Sequence, residues 1–398
     1  MSIAEPIYLD NNATTRPYEA VISAMSTALA EAWANPSSTH PVGQVSRKLM
    51  AEARGKIAAF LGCQIPELVF TSCATEANDM ALMGALERAD SRKRLVISAV
   101  EHAGMMKQAN RFKTQGVEVD FIPVLADGSL DMAAAQQLIQ PGVALVSVMA
   151  ANNETGIFMP IAALAELCKA AGVLLHVDAT QALGKTHFHF ASSGADLVSL
   201  SAHKIHGPKG VGALIIKKGL TLPALFPGSQ ERTRRGGTEN LPGIIGFAAA
   251  IEQLATQLDA DITIMQKRRD ALEAGLTSQL SAVHVYGQGL PRLPNTSYLR
   301  FGRLNAELVL NRLEQANIMA SSGSACSAAT TEPSHVLTAM GVDEESALAA
   351  VRFSVSAATS AAEIDHVIQQ AVAALAPLLA EQAEESATPP PTSFQHAA

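Results

Sequence analysis

Val173-Leu174-Leu175-His176-Val177-Asp178-Ala179-Thr180-Gln181 opens on an apolar run and ends on a carboxylate and an amide; Val198-Ser199-Leu200-Ser201-Ala202-His203-Lys204 repeats the pattern and ends on a lysine. The two charged ends are 204 − 178 = 26 residues apart. That separation suits one β-α-β step, in which a crossover returns the chain to a parallel neighbour. Outward from this pair, further apolar runs at Glu67–Phe70, Leu95–Ser98, Val117–Pro123, Ala144–Met149 and Gly212–Ile216 alternate with helical stretches such as Asp79–Arg88 and Met132–Gln140. Pro160 stands where a helix start tolerates its fixed φ and missing donor. The alternation predicts an α/β fold with a mainly parallel sheet. In such sheets ligands bind at the C-terminal ends of the strands.

A helical stretch from Pro242 to Leu276 follows, then a mixed region from Val283 to Ala376 without the same regularity, read as a smaller second domain. Glu381 to Pro391 is charged and then proline-rich. It offers little apolar surface to offset ordering entropy and is expected to be disordered. Composition narrows the function classes. With 398 residues, 48% hydrophobic and 17% charged, the chain can bury a large core. A net charge of 29 − 37 = −8 disfavours nucleic acid and anionic membrane as partners. Met1 to Pro6 lacks the basic segment and apolar run of a secretion signal, and no apolar stretch spans a bilayer, so the cytoplasm is the expected compartment.

Cys63, Cys73, Cys168 and Cys326 are too few for a disulfide framework and form no C-x-x-C pair. Cys168, at helical spacing from Leu164, reads as a small core residue. His187 and His189 offer two imidazoles on one side of an extended segment, but no third metal ligand accompanies them. Lys204 follows its apolar run among small and polar residues, where desolvation disfavours the ammonium and leaves a nucleophilic amine suited to Schiff-base formation with an aldehyde. Asp178 needs a cationic partner, and the ring nitrogen of pyridoxal phosphate is one that makes the ring an electron sink. Phe70-Thr71-Ser72-Cys73-Ala74-Thr75-Glu76 runs from strand to helix through small, hydroxyl-bearing residues, a place for a phosphate.

These segments resemble the class V aminotransferase superfamily and, within it, the NifS/IscS-like cysteine desulfurases. The likeness also runs through Tyr8-Leu9-Asp10-Asn11-Asn12-Ala13-Thr14-Thr15, Val100-Glu101-His102, Ala151-Asn152-Asn153-Glu154-Thr155-Gly156, Arg235-Gly236-Gly237-Thr238-Glu239-Asn240 and Arg352-Phe353-Ser354. The resemblance implies a fold-type-I enzyme with pyridoxal 5'-phosphate on Lys204, Asp178 at the ring nitrogen, Gln181 at the phenolic oxygen and His102 stacked on the ring. It puts Ala74, Thr75, Ser201 and His203 at the phosphate, joined by Thr238 from the other subunit of a homodimer. Asn152 and Arg352 would hold the carboxylate of the substrate, L-cysteine; arginine suits this through its planar fork. It divides the chain into a large domain, 16–260, a small α+β domain, 1–15 with 261–380, and a tail, 381–398.

Cys326 lies in Ser321-Ser322-Gly323-Ser324-Ala325-Cys326-Ser327-Ala328-Ala329-Thr330, a run without apolar anchors that is expected to move. The resemblance makes it the thiol that takes sulfur from cysteine, carries it as a persulfide, or transiently holds an iron-sulfur cluster, and passes sulfur to an acceptor or scaffold protein. Such a thiol must ionise, and His102 is a candidate acceptor for its proton. No resident metal is expected. Ser229 stands where the family commonly has a histidine. Three other readings share much of this pattern: a selenocysteine lyase, a class V aminotransferase or lyase in which Cys326 is incidental, and a non-catalytic thiol or metal scaffold.

Overall fold

The structure is a computed structural model that describes residues 5–88, 93–323 and 332–387. In chain order its strands are β1 (Ile7–Tyr8), β2 (Leu68–Thr71), β3 (Arg94–Ser98), β4 (Glu118–Ile122), β5 (Leu145–Met149), β6 (Leu174–Asp178), β7 (Leu197–Ser201) and β8 (Gly212–Ile216), followed by β9 (Val283–Val285), β10 (Thr296–Phe301), β11 (Ile318–Met319) and β12 (Ala350–Ser354). β2 to β8 form one sheet in the order β2-β8-β7-β6-β5-β3-β4. The five strands from β7 to β4 are parallel, whereas β8 runs antiparallel to both neighbours. Each strand of this sheet begins and ends within one residue of the run expected from sequence.

The apolar runs form central strands because helices cover both faces of the sheet, so that both sets of alternating side chains are buried. Val146, Val148, Ala213 and Ile215 point into one cluster, with Val177, Val198 and Leu200; Leu145, Leu214 and Ile216 point into the other, with Leu95, Ile97 and Leu197. β6 and β7 are adjacent and parallel, with Asp178 paired in register with Ser199. The crossover between them contains only the four-residue helix Phe190–Ser193. Asp178 therefore ends β6 beside the end of β7, and one turn of 3₁₀ helix, Ala202–Lys204, carries the lysine just past that edge. Gly212 is required here: a Cβ on it would come within 2.6 Å of the Leu200 carbonyl oxygen and 2.8 Å of the Cys73 backbone.

A second body has its own core, containing Leu9, Leu272, Leu299, Phe301, Val309, Val351, Phe353 and Val367. β12, β10 and β9 form an antiparallel sheet there, and β1 pairs in parallel with β11, which ties the start of the chain to its C-terminal part. The helix Leu241–Gln279 runs unbroken for 39 residues. Its buried apolar side chains from Ile244 to Leu254 belong to the first core, and Met265, Leu272 and Leu276 to the second, so the boundary expected after residue 260 falls inside a continuous helix, between the two sets. The segment expected as a tail begins inside a helix. Helix Ala361–Ala387 continues through residue 381, because alanine and glutamate sustain a helix and Gln382 accepts a hydrogen bond from the Arg303 N–H at 2.7 Å; the prolines begin only at 389. Residues 388–398 lie outside the described part. No helix among the described residues is long and apolar enough to cross a membrane.

Beneath Asp178, on the same side of β6, His176 is fully buried, its ring nitrogens each 2.8 Å from a hydroxyl, Ser147 on β5 and Ser199 on β7. Burial pushes its pKa down to about 4, against the opposing pull of Asp178. A folded-state pKa below the unfolded one means that protons bind the unfolded chain better. The stability contributed by neutral His176 is then complete above the unfolded value of 6.5 and is lost as pH falls toward 4. Urea unfolding between pH 6.5 and 4 should lose up to about 3 kcal/mol through this residue, and His176→Gln should remove that part of the slope. A variant with the wild-type slope would contradict the assignment.

Candidate active site

A cavity of about 250 Å³ opens at the C-terminal ends of β5, β6 and β7, lined by Ala13, Cys73, Ala74, Thr75, Asn78, His102, Met149, Ala151, Asn153, Asp178, Thr180, Gln181, Ser201, His203 and Lys204. It brings together residues that the sequence spreads over almost two hundred positions. Asp178, 6% exposed, is held by neutral donors: Asn78 Nδ2 to Oδ2 at 2.9 Å and the Thr180 N–H to Oδ1 at 3.0 Å. Lys204 Nζ donates to the carbonyl oxygens of Asn12 and Ala13 at 2.5 and 2.7 Å. Gln181 Nε2 donates to the same Asn12 oxygen at 2.9 Å. Ala74 and Thr75 begin the 15-residue helix Ala74–Arg88, so its amino end faces the cavity with the partial positive charge of the helix dipole.

His102 caps the helix Ala103–Thr114, its Nδ1 accepting the Gly104 N–H at 3.1 Å. A nitrogen that accepts a main-chain N–H carries no proton, so neutral His102 bears its proton on Nε2. Burial lowers its pKa; the Asp178 carboxylate opposes this and the Lys204 charge reinforces it. For His102 to take up a proton, as the sequence reading asked of it, the ring must release its cap bond. His203 lies 3.1 Å from the Thr14 hydroxyl, and burial, followed by the nearby lysines, pushes its pKa down to about 4.

Three expected residues do not line this cavity. Asn152 is occupied by its own turn: Oδ1 accepts the N–H groups of Glu154 and Thr155 at 2.9 Å each, and Nδ2 donates to the Val100 carbonyl at 3.0 Å. Arg352, 2% exposed, pairs through Nη2 with Asp10 at 2.7 Å and through Nη1 with the carbonyls of Asn153 and Gly323. A substrate carboxylate would have to share or displace Asp10. Thr238 lines a separate cavity of about 140 Å³ with Thr71, Ser72, Glu231 and Arg235.

Cys326 lies outside the described residues, but both flanks of its segment are anchored beside the cavity. Arg352 holds Gly323, and Tyr298 Oη donates to the Ser322 carbonyl at 3.1 Å. Past the gap, Ser334 Oγ donates to Glu154 at 2.5 Å, and a His335 ring nitrogen lies 2.8 Å from the carbonyl oxygen of Glu101, the neighbour of His102. Of the other cysteines Cys168 is buried, as expected, and Cys73 reaches the cavity wall.

The sequence reading missed Asn78, Thr180, Glu101 and Lys185. Asn78 was legible in principle, three residues after Thr75 and thus on the same side of the helix. Buried Asn78 Oδ1, Asn153 Oδ1, Thr180 Oγ1 and Ser201 Oγ, all from cavity-lining residues, have no partner among the described residues. Buried polar atoms left open around one cavity suit a polar ligand. A carboxylate that no lysine or arginine among the described residues pairs with, a lysine amine on the cavity wall, hydroxyls and a helix amino end are together the set of groups that pyridoxal phosphate asks for, so the residues present fit that group.

A family model described as aminotransferase class V matches residues 7–367. The chain belongs to that family. Enzymes of this family work with pyridoxal phosphate. A cysteine desulfurase of Sinorhizobium fredii is 43% identical over 367 residues, covering 92% of this chain and 95% of the relative. Among solved structures, a NifS-like protein superposes with a TM-score of 0.87 at 34% identity, over 93% of this chain and 99% of that one. Another, described as SspA in complex with cysteine, gives a TM-score of 0.77 at 28% identity over 88% of this chain and 98% of its own.

Glu101 permits a direct test of the site's electrostatics. It is fully buried, Oε1 accepts the Met149 N–H at 2.6 Å, and burial together with the Asp178 charge pushes its carboxyl well above the usual range, toward the protonated form. Glu101→Gln keeps the acceptor oxygen and imitates that uncharged form. At pH 7 it should change the unfolding free energy by less than about 1 kcal/mol; a loss of about 3 kcal/mol or more would mean that Glu101 is ionised in the fold.

Proposed function

We propose that this chain is a pyridoxal-phosphate-dependent cysteine desulfurase that moves the sulfur of L-cysteine onto the thiol of Cys326, giving L-alanine and a persulfide. The observation that carries the reading is the meeting of Asp178, Gln181, Ser201, His203, Lys204, Thr75 and His102 around one 250 Å³ cavity, in a chain whose relatives bear that name. Lys204 would hold the cofactor through its amine, Asp178 its ring nitrogen and Gln181 its phenolic oxygen. Ala74, Thr75, Ser201 and His203 would hold the phosphate. When bound, the cofactor supplies an electron sink that stabilises negative charge at the substrate α-carbon.

The chain's own residues do the rest. Asp178 is held by two neutral donors and, among the described residues, by no lysine or arginine, which leaves its carboxylate available to a positive ring nitrogen. Lys204 is placed to bind and to move a proton, because its amine sits at the edge of β7 on two carbonyl oxygens that orient it without neutralising it. His102, capped on Nδ1, offers an Nε2–H to the cavity. Arg352 receives the substrate carboxylate, with Asp10 as the competing partner. The Cys326 thiolate attacks substrate Sγ: the new S–S bond forms as the Cβ–S bond breaks, and the electron pair left on the three-carbon fragment is protonated to give alanine. Sulfur then passes to an acceptor protein for iron-sulfur assembly or another use.

The anchored flanks of the Cys326 segment support this role. Thr238 fits a homodimer, since it lines a cavity other than the one that holds Lys204 and would reach the phosphate of a second copy; the dimer is assigned to the cytoplasm. Exposed Trp33, at 74%, and Leu29, at 62%, offer apolar surface for that copy to cover. The test is alanine and sulfide release from L-cysteine with a reductant present. Lys204→Ala should lose the visible chromophore and at least about a thousandfold in rate; Cys326→Ala should keep the chromophore and make no sulfide. Sulfide release at the wild-type rate by Cys326→Ala would overturn the persulfide step and favour a lyase in which Cys326 is incidental.

A further inference from the structure

Lys185 entered no expectation from the sequence, yet it is 4% exposed and lies directly behind the cavity. Its amine forms no ion pair among the described residues. Its partner is Gln181 Oε1, at 2.6 Å. Gln181 Nε2 donates to the Asn12 carbonyl oxygen, the same atom that accepts from Lys204. Lys185, Gln181, Asn12 and Lys204 therefore form one chain of hydrogen bonds. Gln181 faces the 250 Å³ cavity, while Lys185 faces a second space of about 20 Å³ that Lys204 also borders.

An amide can be turned either way, and only its neighbours fix which end is nitrogen. Here both neighbours agree: an amine hydrogen seeks the oxygen, and a carbonyl oxygen accepts only from the nitrogen. We propose that Lys185 is a positioning residue, whose buried amine holds the Gln181 oxygen so that Nε2 is presented to the phenolic oxygen of the cofactor. The proposal rests on reading the cavity as a pyridoxal-phosphate site. Burial first, then Lys204 and Arg352, push the Lys185 pKa well down; the role assigned here is that of a hydrogen-bond donor to Gln181 Oε1.

The test is a pH titration of the visible absorption of the holoenzyme. Lys185→Met keeps the side-chain length and deletes the donor, leaving Gln181 Oε1 buried and unpartnered, which favours a turned or displaced amide. The ring oxygen then loses a donor to its anionic form, and the midpoint of the spectral change should rise by about half a pH unit or more. The double variant Lys185→Met/Gln181→Met removes both partners and leaves no orphaned polar atom, so it remains informative should the single variant not fold. If Lys185 acts through Gln181, its midpoint equals that of Gln181→Met alone. An unchanged midpoint in Lys185→Met, or a further shift in the double variant beyond Gln181→Met, overturns the proposal while leaving the cofactor site intact. Failure of the wild-type protein to develop a visible band with pyridoxal phosphate overturns both.

Discussion

Asp178 is an ionisable group buried at the end of a central strand, and the cost of holding it there organises its surroundings. A carboxylate out of water is unfavourable unless it is hydrogen-bonded and faces a positive charge. Two neutral donors, from Asn78 and the Thr180 backbone, are in place, but among the described residues no lysine or arginine pairs with it. His176 below it is fully buried and kept neutral, and Glu101 nearby is pushed toward its protonated form. His176, which if protonated would be a rival cation beside Asp178, and Glu101, which if ionised would be a rival anion, are thus both shifted toward their uncharged forms. What remains is a single negative charge aimed into a cavity whose other walls offer an amine, hydroxyls and a helix amino end.

The N-terminal segment closes this site from the opposite side. Asn12 contributes its carbonyl oxygen to Lys204 and Gln181, and its side chain to the Thr296 hydroxyl and the Asn153 carbonyl. Asp10 pairs with Arg352 on β12, while Leu9 lies in the second core. A few residues from the start of the chain therefore bridge both hydrophobic bodies at the point where the chemistry is placed. Leu9 belongs to the second core itself, whereas residues 10 to 13 orient the groups of the site.

Much of this was legible in the sequence. The strands of the large sheet could be placed because buried parallel strands need near-continuous apolar runs and each run is bounded by turn residues or charge. Asp178 and Lys204 stood out because charge at the end of such a run is unusual. Less legible were residues whose meaning depends on a partner far along the chain. Lys185 looks like any lysine until its burial is known, Glu101 reads as a surface glutamate, and the turn that absorbs the Asn152 amide is set by Glu154 and Thr155. The helical start of the expected tail was missed for a different reason: a charged, alanine-rich stretch lacks apolar surface but not helix propensity, and disorder was inferred from the first property alone.

The measurement that bears most directly on this account is borohydride reduction of the protein loaded with pyridoxal phosphate, followed by mass analysis of the peptides. Two lysines, buried Lys185 and partly buried Lys204, border the same small space, and only Lys204 lies on the wall of the larger cavity that Asp178 also lines. The account predicts the reduced cofactor on the peptide carrying Lys204 and none on Lys185. Labelling at Lys185, or at neither, would contradict it.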